Sequence, residues 1–120
     1  MARRVRDNLS QEALEKIAER FKALSEPMRL RLVYALMEGE KSVSRLVAET
    51  GGLQANVSKH LGILLDAGIL GRRKEGTSSY YRITDESVFE LCDLVCGSIE
   101  ERLATELRNF SAASSAGRPS

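Results

Sequence analysis

The stretch ELCDLVCGSIEERL, residues 90–103, holds two cysteines four residues apart, and they are the only cysteines in the chain. On a helix, positions i and i+4 face the same side with Cβ atoms roughly 5–6 Å apart. A disulfide needs Cβ atoms about 3.5–4.5 Å apart, so joining Cys92 to Cys96 within an intact helix would strain it. A soft metal asks less. With metal–sulfur bonds of about 2.3 Å, two thiolates share one ion at ~4 Å separation, within reach of rotamer choice. The spacing therefore favours a thiophilic metal or metalloid over an intrahelical bridge.

Two thiolates are an incomplete ligand set. Zinc takes four ligands, trivalent arsenic ideally takes three sulfurs, and the lone histidine, His60, lies far away in sequence. Asp93, Glu90, an exogenous thiol or the cysteines of a second subunit would have to complete the site. A dimer presenting four thiolates is the most economical completion. The competing account is packing, because cysteine behaves as a small hydrophobe. At 100° per residue, Cys92 falls near the centre of the stripe set by Val88, Val95 and Ile99, and Cys96 falls about 40° further round, at its edge. The sequence leaves both accounts open.

A second set of residues suits nucleic acid. The segment QANVSKHL opens a helix with Gln54, which pairs bidentately with adenine, and Ser58, which reaches base or phosphate. Ala55 suits a thymine methyl group. Asn56 either reads a base or serves the helix start. Lys59 and His60, a turn further on, are placed for backbone phosphate. Downstream, Arg72, Arg73 and Lys74 put three cations on one arm of a hairpin, where they would hold a flanking groove. The other reading of these residues is a solvated helix and an ordinary charged hairpin.

The formal net charge of +1 hides this distribution. Between residues 57 and 82, Lys59, Arg72, Arg73, Lys74 and Arg82 are opposed only by Asp66 and Glu75, whereas residues 85–106 are acid-rich. A near-neutral total thus divides into a basic face and an acidic one.

At 120 residues the chain suits one domain. Its 42% hydrophobic content, 29% charged content and lack of tryptophan predict a globular protein with an aliphatic core. No apolar run approaches the roughly 18 residues of a membrane span. The charged N-terminus has no apolar segment behind it, so it does not read as a secretory signal. A cytoplasmic address with reduced thiols is the expectation. No cofactor is required for folding.

The positioning elements follow from periodicity. Residues 1–8 read as a flexible N-terminus and 111–120 as a disordered tail, leaving 9–110 as the folded domain. A first helix begins after Ser10 as N-cap, with Leu14, Ile17, Phe21 and Leu24 as its apolar stripe. A second starts at SEPMRL, with Ser25 as cap and Pro27 in its first turn. A third covers about 43–50, Gly51 and Gly52 make a turn, and a fourth covers about 54–67, with Gly68 as its C′ glycine. ILGRRK, EGTS and SYYRI then read as strand, turn and strand. A last helix runs from Glu86 to about Phe110, with Val88, Cys92, Val95, Ile99, Leu103 and Phe110 on one side. The fold class is mainly α with a small β-hairpin, in the order α-α-α-α-β-β-α. That is a winged helix-turn-helix with helices added at both ends. A 25-residue amphipathic helix exceeds what one small domain needs, so the terminal helices are predicted to join two copies.

ALSEPMRLRLVYAL, NVSKHLGILLDAGIL and RRKEGTSSYYRI together resemble the ArsR/SmtB family of bacterial repressors, over roughly residues 20–84. The resemblance implies a homodimer joined through the first and last helices, and an inducer that loosens it from a palindromic operator in double-stranded DNA. One departure stands out: similar proteins have a hydrophobic residue followed by a serine N-cap where this chain has Gly52 and Leu53. SVSRLVAET lacks the cysteines many relatives carry there, and no histidine follows His60 to form the Asp/His site of others. A cysteine pair on the last helix resembles arrangements used for thiophilic ions, or for persulfide and redox sensing.

The favoured reading is a repressor induced through Cys92 and Cys96 by a soft metal or metalloid, such as As(III), Cd or Zn, or by a thiol oxidant. The alternatives are a repressor with structural cysteines and another or no ligand, and a winged-helix module that binds protein. Catalysis is not expected, because Cys92 and Cys96 lie on a different helix from His60 and no phosphate-cradling glycine motif appears. No small-molecule substrate and no membrane partner are expected.

Overall fold

The computed structural model describes residues 9–116, with side chains described through residue 111. The expectations for residues 1–8, and for residues 117–120 of the tail, lie outside the described residues.

Helix α1, Gln11–Leu24, starts at Ser10, whose hydroxyl accepts from the Ala13 N–H at 3.1 Å. Helix α2, Pro27–Leu36, is capped by Glu26, whose carboxylate accepts from the Arg29 N–H at 3.1 Å. Ser25 is therefore not its cap. Its hydroxyl instead donates back to the Lys22 carbonyl at the end of α1, at 3.0 Å. Helix α3, Val43–Thr50, begins at Ser42 and closes on Gly51 at φ 71°, a left-handed cap whose N–H donates to the Val47 carbonyl. Only glycine takes that conformation without steric cost. Helix α4, Gln54–Asp66, follows after two further residues. Gly68, at φ 79°, reverses the chain beyond it, with Ile69 N–H bonded to the Leu64 carbonyl.

Strand β1 is only Lys41–Ser42, and it joins β2, Leu70–Glu75, and β3, Ser78–Ile83, in an antiparallel sheet ordered β1-β3-β2. The hairpin register places Arg72 opposite Tyr81, Arg73 opposite Tyr80 and Lys74 opposite Ser79. The third strand extends the expected hairpin: Lys41 pairs with Tyr81 and Ser42 with Tyr80.

The core of residues 9–86 lies where α2, α3 and α4 meet the sheet. Leu32 and Val33 of α2, Leu46 of α3, Val57, Leu61 and Leu64 of α4, and Ile69 are fully buried. An apolar face on each short helix, closed over one cluster, fixes the angle at which α4 leaves the domain. On α1 only Ala23 and Leu24 are buried, and Leu14, Ile17 and Phe21, the rest of its apolar stripe, are exposed. Helical spacing marks an apolar face without saying what covers it, and in a single protomer these three side chains are left uncovered.

Lys41 ties β1 to the ends of two helices. Its ammonium is buried, pairs with Glu38, and donates to Glu49 at 2.7 Å. Hydrogen bonds to Glu38 and then Glu49 hold the Lys41 pKa above its ordinary 10.5, and the bond from Lys41 holds Glu49 below its ordinary 4.5. Glu49, with a depressed folded pKa, contributes stability present above about pH 4.5 and lost as pH falls through the lower folded value. Lys41 contributes stability present below 10.5 and lost as pH rises through its raised value. A Lys41→Met variant is accordingly expected to show a smaller drop in thermal midpoint than the parent on acidification from pH 6 to roughly pH 3.5. Thermal melts across that range check it, and an equal drop would remove the pair from the account.

Helix α5, Glu86–Ala116, is one continuous helix and continues beyond the expected end at Phe110, so residues 111–116 are helical instead of forming part of a tail. Val88 and Cys92 are buried, whereas Leu94, Val95, Ile99, Leu103, Leu107 and Phe110 are exposed, Phe110 by 74%.

Candidate nucleic-acid interface

Helix α4 divides cleanly. Val57, His60, Leu61 and Leu64 face inward, and Gln54, Ala55, Asn56, Ser58 and Lys59 are exposed. The exposed residues occupy the first two turns, so the helix presents a short polar row at its N-terminal end.

His60 corrects the sequence expectation. It was placed beside phosphate with Lys59, yet it is 7% exposed. Its Nδ1 lies 3.1 Å from Arg29 Nη1 and 3.7 Å from a Glu26 carboxylate oxygen. Arg29 Nε in turn donates to the Ala23 carbonyl. This chain of contacts fastens α4 to the start of α2, so His60 holds the helix in place and faces away from the polar row. Val57, His60, Leu61 and Leu64 are spaced i, i+3, i+4, i+7, and that spacing carried the signal.

The hairpin also separates its cations. Alternation along β2 sends Arg72 and Lys74 to one face and Arg73 to the other. Arg73 is already engaged. It grips Glu40 with Nε–O distances of 2.9 and 3.0 Å, reaches Glu75 at 2.5 Å, and lies 4.5 Å over the Tyr80 ring. The hydrogen bonds from Arg73 hold the Glu40 carboxyl below its usual value. Arg72 and Lys74 are exposed, and Arg72 lines an open cleft of about 510 Å³ with Ser42, Ser44, Gln54, Ser58 and Ser79. The starts of α3 and α4 and the wing thus border one polar concavity. Glu40, 33 residues from Arg73, was not foreseen.

The thiols sit on α5. Both are free; Cys92 is 5% exposed and Cys96 is half-buried. Burial, and then the neighbouring Cys96, push the Cys92 thiol above its ordinary 9.0, so it is protonated at neutral pH. Among the described residues no group of three or more His, Cys, Asp or Glu side chains is placed to hold a metal ion. One protomer's donors therefore do not fit zinc or trivalent arsenic, and Glu90 and Asp93 do not complete the set. Iodoacetamide at pH 8 is expected to label Cys96 before Cys92, as read by peptide mass spectrometry. The reverse order would contradict this burial pattern.

No helix among the described residues is long and apolar enough to cross a membrane. The model of the bacterial regulatory proteins of the arsR family matches residues 26–71, from the cap of α2 into β2. An uncharacterized HTH-type transcriptional regulator of Methanocaldococcus jannaschii is 44% identical over 85 residues, spanning 70% of this chain and 96% of its own length. The arsenical resistance operon repressor of Bacillus subtilis is 39% identical over 83 residues, 68% of this chain and 79% of that protein. The solution structure of a homodimeric winged helix-turn-helix DNA-binding domain from Mycobacterium bovis, a possible ArsR-family transcriptional regulator, matches with a TM-score of 0.70. Its identity is 34%, covering 80% of this chain and 91% of that one. The helix-turn-helix, the wing and these relatives agree: the chain is a winged helix-turn-helix protein of the ArsR family of bacterial regulatory proteins.

Proposed function

We propose that the protein is a homodimeric transcriptional repressor that binds a palindromic operator and leaves it when a thiol-directed inducer engages Cys92 and Cys96. The observation that carries the DNA half is the polar row Gln54, Ala55, Asn56, Ser58 and Lys59. It stands exposed on a helix whose other face is locked into the core, across a cleft from Arg72. A recognition helix meets base edges with its N-terminal side chains. Gln54 suits adenine, Ser58 and Lys59 suit base edge and phosphate, and Arg72 and Lys74 suit the flanking backbone. Arg73, held by two carboxylates, serves the shape of the wing.

The dimer half rests on two uncovered apolar stripes: Leu14, Ile17 and Phe21 on α1, and Val95, Ile99, Leu103 and Phe110 on α5. A second copy of the chain is the natural cover for both. Two recognition helices roughly 34 Å apart then meet half-sites one turn apart.

The inducer is a soft metal ion, a metalloid or an oxidant. A soft ion needs further donors, from the second copy or an exogenous thiol, because among the described residues of one protomer the set falls short. Linkage sets the coupling: an inducer that favours the free dimer weakens DNA binding by the same factor by which DNA weakens inducer binding. The second reading, with structural cysteines, is favoured by the burial of Cys92. Fluorescence anisotropy separates the two. Reduced protein on its DNA is titrated with trivalent arsenic, cadmium and hydrogen peroxide, beside a Cys92→Ala/Cys96→Ala variant that keeps position 92 apolar. Release of the parent alone by any of the three supports the sensor. Indifference to all three, or equal release of both proteins, supports the structural reading.

A further inference from the structure

The cap position of α4 holds a leucine. Ser, Thr, Asp and Asn are preferred there because a side-chain oxygen accepts from a free N–H of the first turn, and leucine is among the least favourable choices. Leu53 takes the extended backbone of a cap, φ −76° and ψ 144°, and its carbonyl accepts the first helical bond from Val57, but its side chain makes no cap hydrogen bond. It gains nothing from burial either. At 80% exposure it is the most exposed large hydrophobic residue among the described side chains.

The space beneath the turn is already occupied. A Cβ added at Gly52 would stand 3.0 Å from Val57 Cγ2 and 3.2 Å from Met28 Cε. A larger residue at 52 would require Val57 and Met28 to give by a few tenths of an ångström, and the apolar side chain of the turn stands outward at position 53. Its neighbours there are Gln54, Ala55 and Asn56, all exposed and polar or small. The other exposed apolar residues of α1 and α5 recur at helical spacing as stripes suited to a protein partner. Leu53 stands alone in a polar row, which suits a contact that is apolar at one point only.

We propose that Leu53 packs on the C5-methyl group of a thymine in each half-site, making it a specificity-determining residue of this chain. The inference rests on α4 being the DNA-reading helix. The thymine methyl is the apolar group that the major groove offers, and side chains at the start of a recognition helix are the ones that reach base edges.

The test begins with the full-length reduced protein enriching duplexes from a randomised pool. In the enriched duplex each thymine is then replaced by uracil, which removes the methyl group and leaves the hydrogen-bonding edges intact. Affinities of the parent and Leu53→Ser are read by anisotropy. One position per half-site is expected to weaken the parent about fourfold, and both together ~15-fold, the value of losing one buried methyl at each. Leu53→Ser, which supplies a favourable cap and keeps the fold, is expected to bind thymine and uracil duplexes equally. A parent indifferent to uracil at every position overturns the inference and leaves the DNA reading standing. So does a uracil effect that persists in Leu53→Ser and vanishes in Ala55→Gly. Failure to enrich any duplex overturns the DNA reading itself, and this inference with it.

Discussion

Replacing Arg72 and Lys74 together by alanine is expected to weaken DNA binding on the order of 10³-fold near 0.15 M salt, and to lower the slope of log affinity against log salt by about 3.6. Each phosphate contact releases condensed counterions worth about 0.9 in that slope, and the double variant removes two cations per protomer, four per dimer. Both side chains are exposed on one face of β2, and Arg72 borders the same cleft as Gln54 and Ser58. Arg73→Ala provides the internal control. Its guanidinium is bonded to Glu40 and Glu75, so its loss is expected to leave the salt slope near that of the parent and to lower the thermal midpoint modestly. Anisotropy titrations from roughly 0.05 to 0.3 M salt check both. Equal slope changes for Arg73→Ala and for either neighbour would show that the wing does not divide its cations in this way.

Leu61→Ala is expected to carry the largest stability cost, about 2–5 kcal/mol. Leu61 is fully buried on the inner face of α4, among a cluster that includes Leu32, Leu46 and Leu64. Truncation removes three heavy atoms and leaves a cavity that helices pinned at both ends close poorly. Against a typical domain stability of about 5–15 kcal/mol, that loss leaves a marginal protein. Leu53→Ala, at the cap of the same helix and 80% exposed, is expected to change stability within about 0.5 kcal/mol. Urea denaturation at one fixed protomer concentration, which keeps the association equilibrium constant, measures the pair. A Leu61→Ala cost below about 1 kcal/mol would mean that α4 is not seated by this cluster.

Much of the fold was legible because local signals agreed with the tertiary result. Ser10 caps α1, Gly51 closes α3, Gly68 ends the turn after α4, and the change from helical to alternating period announced β2 and β3. What escaped depends on groups distant in sequence or on segments too short to show a period. Strand β1 is two residues long, and only the free edge of β3 makes it a strand. The engagement of Arg73 depends on Glu40, and the cap of α2 falls on Glu26 because Ser25 already bonds backward to Lys22.

Within the site, the polar row of α4 was readable from helical spacing, and His60 was misjudged by composition. Histidine suits phosphate chemically, but its position in step with Val57, Leu61 and Leu64 places it on the buried face. The α1 stripe was legible only as an apolar face. An i, i+3, i+4, i+7 pattern looks alike whether the face packs within its own chain or awaits a second one. Cys92 and Cys96 divided as the wheel suggested, with the first buried and the second at the margin.

Hydroxyl-radical footprinting of the reduced protein on an enriched duplex shows whether two copies of α4 read the DNA together. Two protected patches about 10–10.5 base pairs apart are expected, related by the symmetry of the DNA, with flanking protection that disappears in the Arg72→Ala/Lys74→Ala variant. A single protected patch would contradict the homodimer, and no sequence-dependent protection at any salt would contradict DNA recognition by α4.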